Sequence, residues 1–162
     1  MNAPTRLALI LSAIAIALPQ TASAQPLSKA WTGTWHLNTE KSKFSSAEFT
    51  PKSDTRTYTV AGRRLTMQST MINADGKKIK WSYSANTNGK WYRTFGNPNT
   101  DHVALTYVSP RELKSKTTLR GKPSARSTVT VSADGKVLTI NRSILIAKGG
   151  PTADIMVFDH AK

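Results

Sequence analysis

The chain has 162 residues, 23 lysines and arginines against nine acids, and a formal net charge of +14 at neutral pH. It contains no cysteine, which excludes disulfides, thiolate metal sites, cysteine nucleophiles and a lipid-modified cysteine anchor. The charge favours anionic partners such as lipid headgroups, acidic polysaccharide or nucleic acid, although the same excess also serves solubility.

Residues 1–24 have the order of a cleavable secretory signal. Met1 to Arg6 carry one cation, Leu7 to Leu18 form an unbroken run of Leu, Ile, Ala and Ser, Pro19 breaks it, and Ala22-Ser23-Ala24 supply small residues for a peptidase. The run is shorter than the ~20 residues that cross a bilayer as a helix, and no later stretch is apolar enough. Cleavage after Ala24 leaves Gln25 to Lys162 as one domain with a periplasmic or secreted address.

The rest of the chain shows no helical period. It shows ten short segments rich in Thr, Val, Ile, Tyr and Trp, separated by turn residues, which predicts antiparallel strands. They run Thr32–Leu37, Asp54–Val60, Arg64–Ile72, Lys78–Ala85, Lys90–Phe95, His102–Val108, Glu112–Leu119, Ala125–Val131, Val137–Ile146 and Thr152–Phe158. Asn73-Ala74-Asp75-Gly76-Lys77 and Ser132-Ala133-Asp134-Gly135-Lys136 have the same form, and Asn86-Thr87-Asn88-Gly89-Lys90 is close to it. Asp or Asn before Gly is hairpin chemistry. Ala61-Gly62-Arg63 and Ser109-Pro110-Arg111 mark two more tight connections. Neighbours in sequence are thus neighbours in space. A meander of this length is best relieved of its edges by closing, so the expected fold is all-β, an antiparallel meander β-barrel of about 8–10 strands. The long link Asn38 to Ser53 has room for a short helical turn or lid, for which Thr39-Glu40-Lys41-Ser42 is suited.

Alternation along each strand assigns an inward face. It contains Gly33, Trp35 and Leu37, then Leu65, Met67 and Met71, then Ile79, Trp81, Tyr83 and Ala85. Val103, Leu105 and Tyr107 continue it, followed by Leu113, Leu119, Val129 and Val131. Leu138, Ile140 and Ile144 come next, and Ile155 and Val157 lie on the last strand. The opposite face is mostly Thr, Ser, Lys and Arg.

Trp31-Thr32-Gly33-Thr34-Trp35-His36-Leu37-Asn38, followed by Lys41-Ser42-Lys43-Phe44, resembles the opening of a bacterial family of secreted lipocalin-like proteins, whose members also show repeated hairpins with Asp-Gly-Lys turns. Gly33-Thr34-Trp35 looks like the Gly-x-Trp element of lipocalins, where Gly permits close approach and Trp caps the barrel base. The resemblance implies a calycin-type barrel closed by Gly33 and Trp35, with Arg142 stacked over the tryptophan. The middle lipocalin motif, Thr-Asp-Tyr, has no match; Thr100-Asp101-His102 is its nearest counterpart. No activity is implied by the resemblance.

Catalysis would need acid, base and nucleophile converging. Asp101-His102 and Asp159-His160 are adjacent pairs whose side chains point to opposite faces of an extended chain. His36, His102 and His160 lack metal-ligand spacing, and Gly121-Lys122-Pro123-Ser124 is not a phosphate loop. A non-enzyme without metal or cofactor is expected. Two features invite binding instead. Trp81, Tyr83, Trp91, Tyr92 and Phe95 flank one predicted hairpin and are either plain core or, with adaptable Met67 and Met71, the wall of a cavity for a small apolar or amphipathic ligand. In the cavity reading Arg93 and Tyr92 are its polar anchors. Arg111, Lys114, Lys116, Arg120, Lys122 and Arg126 are opposed only by Glu112. They form either a solvated outer wall or a binding surface for an envelope polyanion such as lipopolysaccharide, with Lys114, Lys116 and Arg120 central. Aromatic residues interleaved with those cations, which nucleic acid would require, are not apparent on that wall, so nucleic acid is not an expected partner.

Overall fold

The computed structural model describes residues 25–161; the predicted signal lies outside them. Ten strands form one closed antiparallel barrel: β1 Gly33–Leu37, β2 Ser53–Ala61, β3 Arg64–Ile72, β4 Lys78–Asn86, β5 Asn88–Phe95, β6 His102–Ser109, β7 Glu112–Leu119, β8 Lys122–Val131, β9 Val137–Ile144 and β10 Asp154–His160. Each strand lies beside its neighbours in sequence. The ring closes where β1 meets β10, with Trp35 opposite His160 and Leu37 opposite Phe158. The meander follows from its turns. Asn73 and Lys77 close one hairpin, with the Asn73 side chain accepting from the Lys77 N–H at 2.7 Å, and Ser132 does the same work in its counterpart.

The third glycine turn is not a hairpin. At Thr87 the chain passes directly from β4 to β5, and Thr87 is bonded on one side to the Arg63 carbonyl and on the other to the Tyr107 N–H. β4 and β5 pair only at Ser82–Phe95 and Tyr83–Thr94. Gly89 falls instead in a bulge, where the β5–β6 register shifts between Asn88 and Trp91.

One end of the barrel is plugged. A single 3-10 turn, Lys29–Trp31, swings Trp31 under the strands, where its Nε1–H donates to the Pro110 carbonyl at 2.8 Å. Trp31 and Trp35 are fully buried there with Leu27, Tyr58 and Leu138 around them. The other end carries the β1–β2 link. Thr39–Lys41 makes a hydrogen-bonded turn, but the helical turn is displaced to Ala47–Phe49.

The last strand corrects the predicted face. Met156 and Phe158 point inward with Asp154, while Ile155 is 37% exposed and Val157 is only half-buried. Both alternating sets are apolar, so side-chain type alone did not decide the phase. The register against β9 decides it, since Phe158 lies opposite Leu138 and Met156 opposite Ile140, both buried inward. Asn38 N–H donates to the Val157 carbonyl, and Lys43 bridges to Ile155, so the link runs alongside β10.

Candidate functional site: a cavity closed at one end

The barrel encloses a cavity of about 200 Å3. Trp31 is its floor; Phe49, Ala74 and Pro98, from three loops at the open end, stand at its mouth. Its walls are mainly apolar, with Leu65, Met71, Ile79, Val103, Leu105 and Ile140 among them. β7 and β8 contribute the hydroxyls of Ser115, Thr117 and Ser127.

Against this wall stands a cluster of charges. β2 alternates so that Asp54, Arg56 and Tyr58 share the inward face. The Arg56 guanidinium donates through Nε and Nη2 to Asp54 Oδ2, both at 2.8 Å, and Ser69 Oγ donates to Oδ1 at 2.7 Å. Arg56 Cζ lies 4.8 Å from the Phe158 ring centre and 5.6 Å from that of Trp81, a cation held between aromatic rings. Burial opposes the Arg56 charge, but Asp54 and Tyr58 outweigh it and raise the guanidinium pKa above its ordinary value.

The second pair lies on β9 and β10, on the other side of β1 from β2. Arg142 and Asp154 face one another in the β9–β10 register, with Nη2 to Oδ2 at 2.7 Å. Burial lowers the Arg142 pKa, and Asp154 counteracts it. Burial acts to raise the Asp154 carboxyl, yet the Ser45 N–H and Arg142 outweigh it and hold it below the usual range. This pair also ties down the open end, since Asp154 Oδ1 accepts from Ser45 N–H and Oγ, each at 2.9 Å, and Arg142 Nη2 donates to the Phe49 carbonyl at 3.3 Å.

Of the residues expected to bind ligand, Trp81, Tyr83 and Met71 line the cavity and Met67, Trp91, Tyr92 and Arg93 do not; Arg142, expected at the barrel base, lines it too. Met67 is fully buried core below it. Trp91 is 51% exposed and Arg93 lies outside, its guanidinium 5.6 Å from the exposed Phe95 ring. The Gly89 bulge has inverted the alternation of β5, so the large aromatics face solvent. Tyr92 packs at the margin of the core and exchanges hydrogen bonds with Asn88 rather than reaching the cavity. Arg142 is not over Trp35: that ring meets His160, with centres 4.5 Å apart. Asp154 and His160 are separated by six positions of β10, about 20 Å at strand rise. Gly33 matters for closure in an unexpected way. At φ +139° it leaves room for the His160 imidazole, which a Cβ would overlap.

Sequence reading missed Arg56. The signal was present as Asp54-Thr55-Arg56-Thr57-Tyr58, opposite charges two residues apart on one strand face beside an aromatic. The three histidines are all exposed, and no cluster of metal-ligating side chains occurs among the described residues.

On the outer wall, Lys114, Lys116 and Arg126 are exposed, and Arg120 sits in the β7–β8 turn at φ +53°. The cross-strand row Trp91–Ala104–Lys116–Arg126 brings an aromatic beside these cations, over a shallow groove also bounded by His102, Pro123 and Leu145. The wall is therefore not free of aromatics, since Trp91 arrives from another strand.

No family model matches the chain, and no curated protein matches it in sequence. Among solved structures, the zebrafish ileal bile acid-binding protein, crystallised with cholic acid, is similar over 82% of this chain and 99% of its own, with a TM-score of 0.52 and 10% identity. The barrel is calycin-like. At that identity the likeness describes the fold alone.

Proposed function

We propose that this calycin-like chain is an exported binding barrel that holds one compact apolar or amphipathic molecule in its interior and performs no reaction on it. The observation that carries the reading is the cavity itself: an apolar-walled space with a few fixed polar groups, open at one end and sealed by Trp31 at the other. At about 200 Å3 it exceeds the roughly 150 Å3 that accepts a benzene ring, so the ligand is compact. Asp54 and Asp154, behind the cavity wall, are both committed to arginines, and Glu48 stands alone at the mouth, so no acid and base converge inside.

Protein recovered from the periplasmic fraction, with Gln25 as its first residue, should bind members of a panel of small isoprenoids, fatty acids and aromatic dyes with saturable tryptophan quenching. Trp81→Phe should reduce the quenching amplitude by about half, whereas Trp91→Phe, outside the barrel, should leave the ligand affinity unchanged. A panel in which nothing saturates rejects the reading.

A second reading is favoured by one observation, the exposed Trp91 beside Lys116 and Arg126. Aromatic and cationic groups on one face suit an anionic envelope component such as lipopolysaccharide. Retention on lipopolysaccharide should then fall steeply between low and physiological salt, where screening shortens to about 8 Å. Replacing Lys114, Lys116 and Arg120 with Ser should remove most of it. Retention indifferent to both changes leaves the wall as a solubilising surface.

A further inference from the structure

We infer that the polar end of the ligand is an uncharged acceptor, a carbonyl, ester or hydroxyl oxygen, and not a carboxylate. The inference rests on the binding reading above and narrows its substrate class.

The charged side chains lining the cavity are Arg56, Arg142 and, at the mouth, Glu48. Neither arginine offers spare charge. Arg56 has Asp54 and Arg142 has Asp154, each within 2.8 Å, and the second oxygen of each carboxylate is occupied by Ser69 or by Ser45. The interior is electrically closed before any ligand arrives. A carboxylate brought into it leaves water without meeting an uncompensated cation, and an anion buried that way is strongly disfavoured. Glu48 at the mouth adds to the repulsion.

Neutral donors are another matter. The Trp81 ring lines the cavity, and its buried Nε1–H has no acceptor. Tyr83, beside it at 5.9 Å between ring centres, is kept as a neutral phenol, because burial and then Tyr58 hold its pKa well above the ordinary value. Ser115 and Ser127 add hydroxyls to the wall, where that of Thr117 is already shared with Ser124. An unsatisfied buried donor is answered by an oxygen that costs little to desolvate.

The test uses matched probes of one skeleton: acetophenone, methyl benzoate and benzoate, followed by 1-decanol, methyl decanoate and decanoate, measured by calorimetry at pH 7 and low salt. The neutral members should bind at least tenfold more tightly than the carboxylates. Lowering the pH toward the ligand's own pKa should raise carboxylate affinity and leave the esters unmoved. Asp154→Asn, checked for an intact melting transition, leaves Arg142 without its carboxylate and should raise benzoate affinity at least tenfold, with methyl benzoate changed less than threefold. Should that variant fail to melt cooperatively, Asp54→Asn makes the same comparison at Arg56. Carboxylates binding as tightly as their esters in the unmodified protein overturn the inference while the binding barrel stands. Binding of no probe in either series overturns the barrel reading and this inference with it.

Discussion

Arg56→Met should destabilise the barrel by about 3–5 kcal/mol, read as a shift in the urea midpoint at pH 7 with an unchanged slope. The thioether replaces the aliphatic stem well enough, so little of this is lost packing. The cost comes from Asp54, which is 2% exposed and keeps only the Ser69 hydroxyl as a partner once the guanidinium is gone. Replacing both members, as Asp54→Asn with Arg56→Met, should return about 2 kcal/mol or more of that loss, because the stranded charge has been removed as well. A single variant within about 1 kcal/mol of the parent would mean that water inside the cavity solvates Asp54, and the electrically closed interior would have to be given up.

The second large effect is expected at Gly96, which ends the β5 segment at φ +81°. A Cβ at this position would overlap the backbone carbonyl oxygen of Lys80 on β4, and no rotamer relieves a clash with main chain. Gly96→Ala should therefore cost about 3 kcal/mol, the sum of a left-handed backbone and an overpacked contact. Gly62, at φ +59° with nothing within 4 Å of its would-be Cβ, is the control; Gly62→Ala should cost only about 1 kcal/mol. Equal losses at the two sites would show that backbone conformation alone governs both. Since Lys80 immediately precedes Trp81, the Gly96 variant should also lose ligand quenching.

Strand number, order and closure were legible because they depend on local chemistry: β-branched runs separated by Asp-Gly turns leave a meander few alternatives. What was not legible depends on phase and on partners. A one-residue bulge at Gly89 turned Trp91 and Phe95 outward, though both look like core in the sequence. On β10, Met156 and Phe158 compete with Ile155 and Val157 as the apolar set, and it is the register against Leu138 and Ile140 of β9 that separates them. Arg56 and Arg142 look like surface cations until each is seen with its aspartate. Trp81 and Tyr83 were correctly placed on the inward face because β4 pairs with β3 in unbroken register from Lys78 to Asn86. Cationic residues on β7 were likewise read from alternation alone, whereas the aromatic beside them came from across the sheet.

Closure of the ring has a consequence for the order of events in the life of the chain. The first strand takes its second neighbour from the last, Trp35 lying opposite His160. Until the final strand is available, β1 and β9 are both open edges, and the Trp31 floor lies beneath an incomplete ring. Contacts so remote in sequence are also the slowest to form, because most of the chain must be looped before they are rewarded. The core is therefore completed in a single late step, when β10 is added and both open edges disappear at once.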